Sequence, residues 1–244
     1  MEEVIITADI HLLPDDNHPI NQNFYHFLNT QLTHCSKLYL IGDVFESWVG
    51  DDINLPEYQT VISLFKKLTD NGLAIYLMYG NRDFLMGNQF WQATGIIKLD
   101  ETIEININHQ QIILVHGDQL CTDDVAYQKM RKWVRNPIIQ WLFLTLPKSK
   151  RINIGNKMRE QSRQHSSAKS VNIMDVNQQT VENLFLQHPD CNHLIHGHTH
   201  QPAHHRFTLN GKLKQRWVLG DWQPNAKYIS IKTDIQFKTS NEHI

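Results

Sequence analysis

Five short apolar runs in this chain stop at polar clusters, and that repeated interruption constrains the fold more than any other feature. Val4–Ala8 runs into Asp9-Ile10-His11, Lys37–Ile41 into Gly42-Asp43, and Leu73–Met78 into Gly80-Asn81-Arg82-Asp83. Gln111–Val115 runs into His116-Gly117-Asp118, and His193–Ile195 into His196-Gly197-His198-Thr199-His200. Runs of this length read as buried strands. Phe24–Leu32 and Glu57–Asp70 have helical spacing between the first three, Thr102–Ile107 and Gln111–Val115 form a hairpin, and Arg216–Leu219 and Lys227–Thr233 close the chain as strands. Strands alternating with helices, followed by hairpins, predict a layered α/β body.

The clusters share one chemistry. Residues i and i+2 on extended chain face the same way, so Asp9/His11 and His198/His200 each offer a pair of donors. Glycine beside a donor lets the backbone turn without a Cβ in the way. Carboxylate, amide oxygen and imidazole suit divalent ions such as Mn²⁺, Fe²⁺ or Zn²⁺ and argue against soft thiolate chemistry. Singly each motif is weak; five in succession at strand ends are specific. Seven donors with Asp43 shared serve two ions better than one.

The chain has 244 residues, enough for one catalytic domain with an elaboration. Three separated cysteines, Cys35, Cys121 and Cys191, make no disulfide framework and read as reduced cytosolic thiols. Met1-Glu2-Glu3 does not begin a secretory signal, and no run approaches the length that spans a bilayer. The expected location is therefore the cytoplasm.

Charge is unevenly distributed. Of 23 Lys/Arg and 25 Asp/Glu in the chain, the stretch Lys129–Lys169 holds eleven and one, which leaves 12 against 24 elsewhere. Residues 123–179 thus read as a basic helical insertion in an acidic body, standing over the strand ends and forming a wall of the site. Its apolar block Ile138–Leu146 suits an acyl chain or an anionic membrane surface.

The ordered set resembles the calcineurin-like metallophosphoesterase family, whose pattern is D-x-H, G-D, G-N-H-[D/E], H and G-H-x-H. The resemblance implies a four-layer αββα sandwich over a single domain spanning 1–244. It also implies one ion on Asp9, His11, Asp43 and His200, and a second on Asp43, Asn81, His116 and His198. His196, outside the matched pair, is assigned a structural role at the strand end. One position departs from the pattern: Arg82 stands where the family has histidine. Arginine cannot act as a general acid but its fork grips phosphate, which favours a phosphoanhydride, whose leaving group needs little protonation.

That departure, with Phe45–Asp52, Arg82-Asp83-Phe84-Leu85, His116–Asp124 and Ile173–Asn177, resembles the branch of the family acting on UDP-2,3-diacylglucosamine in lipid A synthesis. The branch implies hydrolysis to UMP and 2,3-diacylglucosamine 1-phosphate with two Mn²⁺ ions, by water attack on the α-phosphorus. Asp43, Asn81, Arg82 and His198 are the implied catalytic residues. Asn81, Arg82, Asp124, Ser162, Ser166, Lys169 and His198 are the implied substrate contacts, with Trp48 and Tyr127 as further candidates for the cleft. The implied partners are the UDP-linked lipid and, peripherally, the anionic cytoplasmic face of the inner membrane, with no nucleic acid and no obligate protein partner. A nuclease using the basic insertion, a soluble nucleotide pyrophosphatase and a non-enzymatic scaffold stay open as alternatives. A scaffold tends to lose donors, and none of the seven is missing.

Overall fold

Each apolar run found in the sequence ends up inside one of two stacked sheets. The structure is a computed structural model describing residues 3–168, 175–223 and 225–239, the side chains of 163–168 excepted. The first sheet joins β1 (Glu3–Thr7), β2 (Cys35–Ile41), β3 (Ala74–Met78), β4 (Ile97–Lys98), β10 (Lys227–Ile231) and β11 (Ile235–Thr239) in the order β11-β10-β1-β2-β3-β4. The second joins β5 (Thr102–Ile107), β6 (Gln110–Val115), β7 (His193–His196), β8 (Ala203–Leu209) and β9 (Lys212–Val218) in the order β5-β6-β7-β9-β8. β1, β2 and β3 are parallel, as are β6 and β7, so the site-bearing strands of each sheet deliver their C-terminal ends to one edge.

Periodicity decides the layers. Strand residues alternate between faces, so Val4, Ile6, Tyr39 and Ile41 of the first sheet meet Ile112, Leu114 and Ile195 of the second in one apolar cluster. The opposite face of the first sheet, with Ile5, Leu38, Leu40, Ile75 and Leu77, takes Phe24 and Phe27 from α1 (Pro19–Thr30). It also takes Val61, Ile62 and Phe65 from α3 (Gln59–Asp70) and Phe90 from α4 (Asn88–Thr94). Ile113, Val115 and Leu194 of the second sheet pack on Val181 and Phe185 of α8 (Gln178–Gln187), whose first turn Asn177 caps through Thr180 N. Each fully buried Phe or Ile contributes roughly 1.5–3 kcal/mol. The result is helix, sheet, sheet, helix: the four-layer sandwich expected.

Three details differ from the sequence reading. The helix expected at Glu57–Asp70 is α3, which begins after Tyr58, whose ring is buried and whose hydroxyl donates to Leu12 O at 3.0 Å; the short α2 (Asp51–Glu57) before it was not anticipated. The strand expected at Lys227–Thr233 is β10, and it is followed by an antiparallel partner, β11, that the sequence reading did not include. β8, an edge strand with four of seven residues only partly buried, was not anticipated at all.

The segment after β6 is helical, as its composition suggested: α5 (Val125–Val134), α6 (Pro137–Leu144) and α7 (Lys148–Ala168). Its positive charge is partly spent on the body. Arg151, 4% exposed, donates from Nη1 to Val49 O at 2.8 Å and grips Asp52 with both Nη atoms, at 2.9 and 2.6 Å. Arg131 and Arg135 both pair with Glu101, and Arg131 Nε donates to Asp118 Oδ2 at 2.7 Å. The charge asymmetry is in part an internal docking device. Among the described residues no helix is long and apolar enough to cross a membrane.

Candidate metal centre

The ends of β1, β2, β3, β6 and β7 converge because their following loops are bonded to one another. Asp9 N donates to Gly42 O and His11 N to Asp43 O, each at 3.1 Å, and Gly197 N donates to His116 O at 2.8 Å. His198 N donates to the Asp9 carboxylate at 2.8 Å, which ties the last loop to the first.

Donors converge through bent chain, not the extended i, i+2 geometry expected from sequence. Asp9, His11, Asp43, His198 and His200 all have positive φ, between 53° and 70°. Among described non-glycine residues the only others are Asn108, His109 and Asn210, at hairpin turns. Left-handed backbone costs a residue with a Cβ on the order of 1–3 kcal/mol and persists where surroundings over-determine it, typically at functional sites. Five such residues in one place mark where the fold gives up stability for geometry.

Two donor groups result. Asp9, His11 and His200 each present an atom within 4.8 Å of the others, and so do Asp43, His116 and His198. In the first, His11 Nε2 and His200 Nε2 are 3.2 Å apart, and His200 Nε2 is 3.5 Å from Asp9 Oδ1. In the second, His116 Nε2 lies 3.1 Å from Asn81 Oδ1 and 3.7 Å from Asp43 Oδ2. His116 Nδ1 donates to Ile41 O at 3.0 Å, which fixes the tautomer and aims the Nε2 lone pair inward. All seven donors inferred from sequence are therefore in one region, Asn81 joining the second group. His196 joins neither. It is buried at the end of β7, its Nδ1 donating to Gly197 O at 2.9 Å and its Nε2 facing Arg216 Nη1 at 3.2 Å.

The electrostatics fit cations. Asp9 Oδ1 is buried with no hydrogen-bond partner, a costly state that a bound cation relieves. Burial pushes His11 down to about 3 and His198 to about 4, so both rings are neutral with a free lone pair at physiological pH. Burial pushes the Asp43 carboxyl up to about 7, with the charges of Asp83 and Asp9 adding to it. Asp9 is held well below the usual range, the His200 imidazole overcoming its burial. The same crowded acids raise His116, through Asp43 and Asp9 against its burial, and His200, through its bond to Asp9, so this dry site draws positive charge to itself. Divalent cations would supply that charge, and the donor set of carboxylate, amide oxygen and imidazole matches the harder ions.

Supports for the donors were not singled out from sequence. Asp83 accepts from Val44 N and Gly80 N, each at 2.8 Å, and so ties the β2 and β3 loops together. Glu46 takes Arg82 Nη1 at 2.7 Å, while Arg82 Nε stands 3.7 Å from Asp43 Oδ2. Asp118 accepts from the Tyr127 hydroxyl at 3.0 Å as well as from Arg131. Glu46, Asp83 and Asp118 lie in the motif runs, and their acidic character beside a donor was the only signal available.

The remaining candidates are dispersed. Asp124 caps α5 through Tyr127 N at 3.1 Å, and the Tyr127 ring centre is 5.9 Å from that of His198. Trp48 is a core residue, packed on Phe45, Tyr58 and Phe90 with its indole donating to Asp51, rather than a wall of the cleft. Ser162 is exposed on α7; the Ser166 side chain, Lys169 and the Ile173-Met174 pair lie outside the described residues.

Gly197 illustrates how little slack the loops have. A Cβ there would meet the Asp9 carboxylate and come within 2.8 Å of the Ala8 Cβ. Gly197→Ala is expected to cost about 1–3 kcal/mol of stability and to weaken Mn²⁺ binding, both read in one chemical-denaturation series with and without metal. Parent-like behaviour in both would contradict the packing described.

The sequence profile of the calcineurin-like phosphoesterase family matches residues 3–202. This chain belongs to that family of metal-dependent phosphoesterases. Curated relatives named UDP-2,3-diacylglucosamine hydrolase, from Yersinia pseudotuberculosis serotype O:1b (strain IP 31758) and from Yersinia pestis, are each 41% identical to it over 230 residues. Those alignments cover 94% of this chain and 95% of each relative. Among solved structures, wild-type Vps29 with zinc from Entamoeba histolytica aligns with a TM-score of 0.46 at 16% identity, covering 99% of this chain and 94% of that one.

Proposed function

We propose that the chain hydrolyses the pyrophosphate bond of UDP-2,3-diacylglucosamine, releasing UMP and 2,3-diacylglucosamine 1-phosphate, in lipid A synthesis. The observation that carries this reading is the near full-length identity with the curated relatives, in a chain that keeps all seven donors at one site.

Asp9, His11, Asp43 and His200 would hold one cation, and Asp43, Asn81, His116 and His198 the other, with Mn²⁺ as the ion. When bound, such ions supply Lewis-acid polarisation and acidify water. The chain's own residues do the rest. Arg82, anchored by Glu46 and partly exposed, reaches phosphoryl oxygens as a fixed donor. His198, neutral and pinned through its backbone to Asp9, and the Asn81 amide orient the attacked phosphoryl group. Water adds its oxygen to the α-phosphorus, the bond to the bridging oxygen breaks, and that oxygen departs with the lipid phosphate. No side chain is phosphorylated on the way.

The whole chain acts as one domain with the insertion at 123–179 as its lipid-facing part. Neither α5 nor α6 has a buried residue, and Trp133, Ile138 and Trp141 are 62, 67 and 64% exposed. These apolar side chains, interspersed with the exposed cations Lys129 and Lys132, suit acyl chains and the anionic cytoplasmic surface of the inner membrane. Asp124, Ser162, Ser166 and Lys169 complete the head-group contacts. The protein works in the cytoplasm, at that surface, without nucleic acid or an obligate protein partner.

The test is turnover of UDP-2,3-diacylglucosamine with Mn²⁺ in ¹⁸O-water. UMP is expected to carry the label, and UDP-glucose to be a far poorer substrate. Label in the lipid phosphate would overturn the position of attack, and equal turnover of UDP-glucose would indicate a soluble nucleotide-sugar pyrophosphatase.

A further inference from the structure

Among the described residues, helix α5 bonds to the loops of one donor group and not to those of the other. Arg135, at the C-terminal cap of α5, donates from Nη2 to Gly80 O at 2.8 Å, the carbonyl just before Asn81. The same Nη2 stands 3.6 Å from Asp118 Oδ2, two residues after His116, and Nη1 pairs with Glu101 at 3.0 Å. Arg131, one turn earlier, binds Asp118 directly, and Tyr127 sets its hydroxyl on Asp118 and its ring beside His198. The loops bearing Asn81, His116 and His198 are thus braced from the insertion. Asp9, His11 and His200 are braced from the body: by Gly42 and Asp43 carbonyls, Glu46 and Asp221.

We propose that Arg135, with Asp118, is a positioning residue for the cation held by Asp43, Asn81, His116 and His198, so that the substrate-facing insertion is part of that one metal site. The inference rests on reading the two donor groups as cation sites; it does not depend on the identity of the substrate. The physical ground is the loop 80–83. Its N–H groups are held by Asp83 and Asp43, at Gly80 N and Arg82 N, but its Gly80 carbonyl is held from the insertion by a charged donor. Charge-assisted bonds are short and directional. Removing this one frees the peptide that orients the Asn81 amide, and loss of such an outer partner typically costs 10–100-fold in metal affinity.

The experiment titrates Mn²⁺ calorimetrically into the full chain after EDTA dialysis. In Arg135→Met, one of two binding events is expected to weaken about 10–100-fold, the other staying within about threefold. The loss should persist in a His11→Ala background and vanish in a His116→Ala background, the signature of coupling to one site. Arg151→Met, which loosens the insertion elsewhere, should lower the denaturation midpoint without selective loss of a cation. If Arg135→Met does not fold by circular dichroism, Arg135→Lys replaces it, keeping charge but losing the fork. Unchanged affinities, equal weakening of both ions, or the same selective loss in Arg151→Met would each overturn the proposal. A chain that shows the selective loss yet leaves UDP-2,3-diacylglucosamine intact would sink the substrate reading alone.

Discussion

Asp43→Ala is expected to lower kcat/KM at least ~10³-fold, about 4 kcal/mol of barrier, while the purified variant keeps the parent's circular dichroism. Asp43 stands at the seam of the site. Its carboxylate belongs to the second donor group and accepts from Arg82 N at 2.9 Å, while its backbone carbonyl accepts from His11 of the first. Removing it takes a shared ligand from both cations and loosens Arg82. Its loss should not unfold the protein, because without metal the group is a liability rather than a support. Activity within about tenfold of the parent would refute the shared role.

The liability has a sign and a window. The folded-state pKa is pushed up to about 7 by burial, above the ordinary 3.8, so between those values the folded protein holds a proton that the unfolded chain has released. Stability attributable to this group therefore falls as pH rises from about 4 to 7 and stays low above that. Metal-free Asp43→Ala should gain on the parent as pH increases through this range, most at pH 8, and Mn²⁺ should reverse the order. A variant less stable than the metal-free parent at pH 8 would contradict the burial argument.

Arg82→Ala is expected to reduce kcat by about 10²–10³-fold, some 2.7–4 kcal/mol, the range for removing a fixed donor to developing negative charge. Arg82 is not a metal donor, so Mn²⁺ binding should change little; this separates it from Asp43. Arg82→Lys should recover only part of the rate, because Lys keeps charge but cannot hold Glu46 and a phosphoryl oxygen at once. Glu46→Gln is expected to behave as a weaker version of Arg82→Ala. A loss confined to KM would show Arg82 to be a grip on the ground state alone.

The five strand ends were legible because apolar runs stopped by donors satisfy two demands at once: a buried strand and a polar loop. Their bending was not. Nothing in Asp9-Ile10-His11 announces positive φ at both ends, since that conformation is enforced by contacts with Gly42, Asp43 and His198, far away in sequence. β8 was invisible for a related reason. His204-His205-Arg206 puts three polar residues near its start at a sheet edge, and only Phe207-Thr208-Leu209, whose apolar pair packs toward α8, alternates, which is too short a run to read as a strand. α2 was missed because it is only seven residues long and carries Pro56 inside it, which leaves no periodic pattern to read. Asp118 with Arg131 and Arg135 was out of reach, because a charge pair that closes a loop leaves no local pattern. His204 and Trp217, stacked with ring centres 3.5 Å apart across β8 and β9, have no role that the site explains.

Electron paramagnetic resonance of the Mn²⁺-loaded chain tests the core of the account most directly. Two ions per chain with a magnetically coupled spectrum, collapsing to a single uncoupled ion in Asp43→Ala, is the outcome expected of a pair sharing one carboxylate. A parent protein that binds one ion, or two that ignore each other, would contradict it.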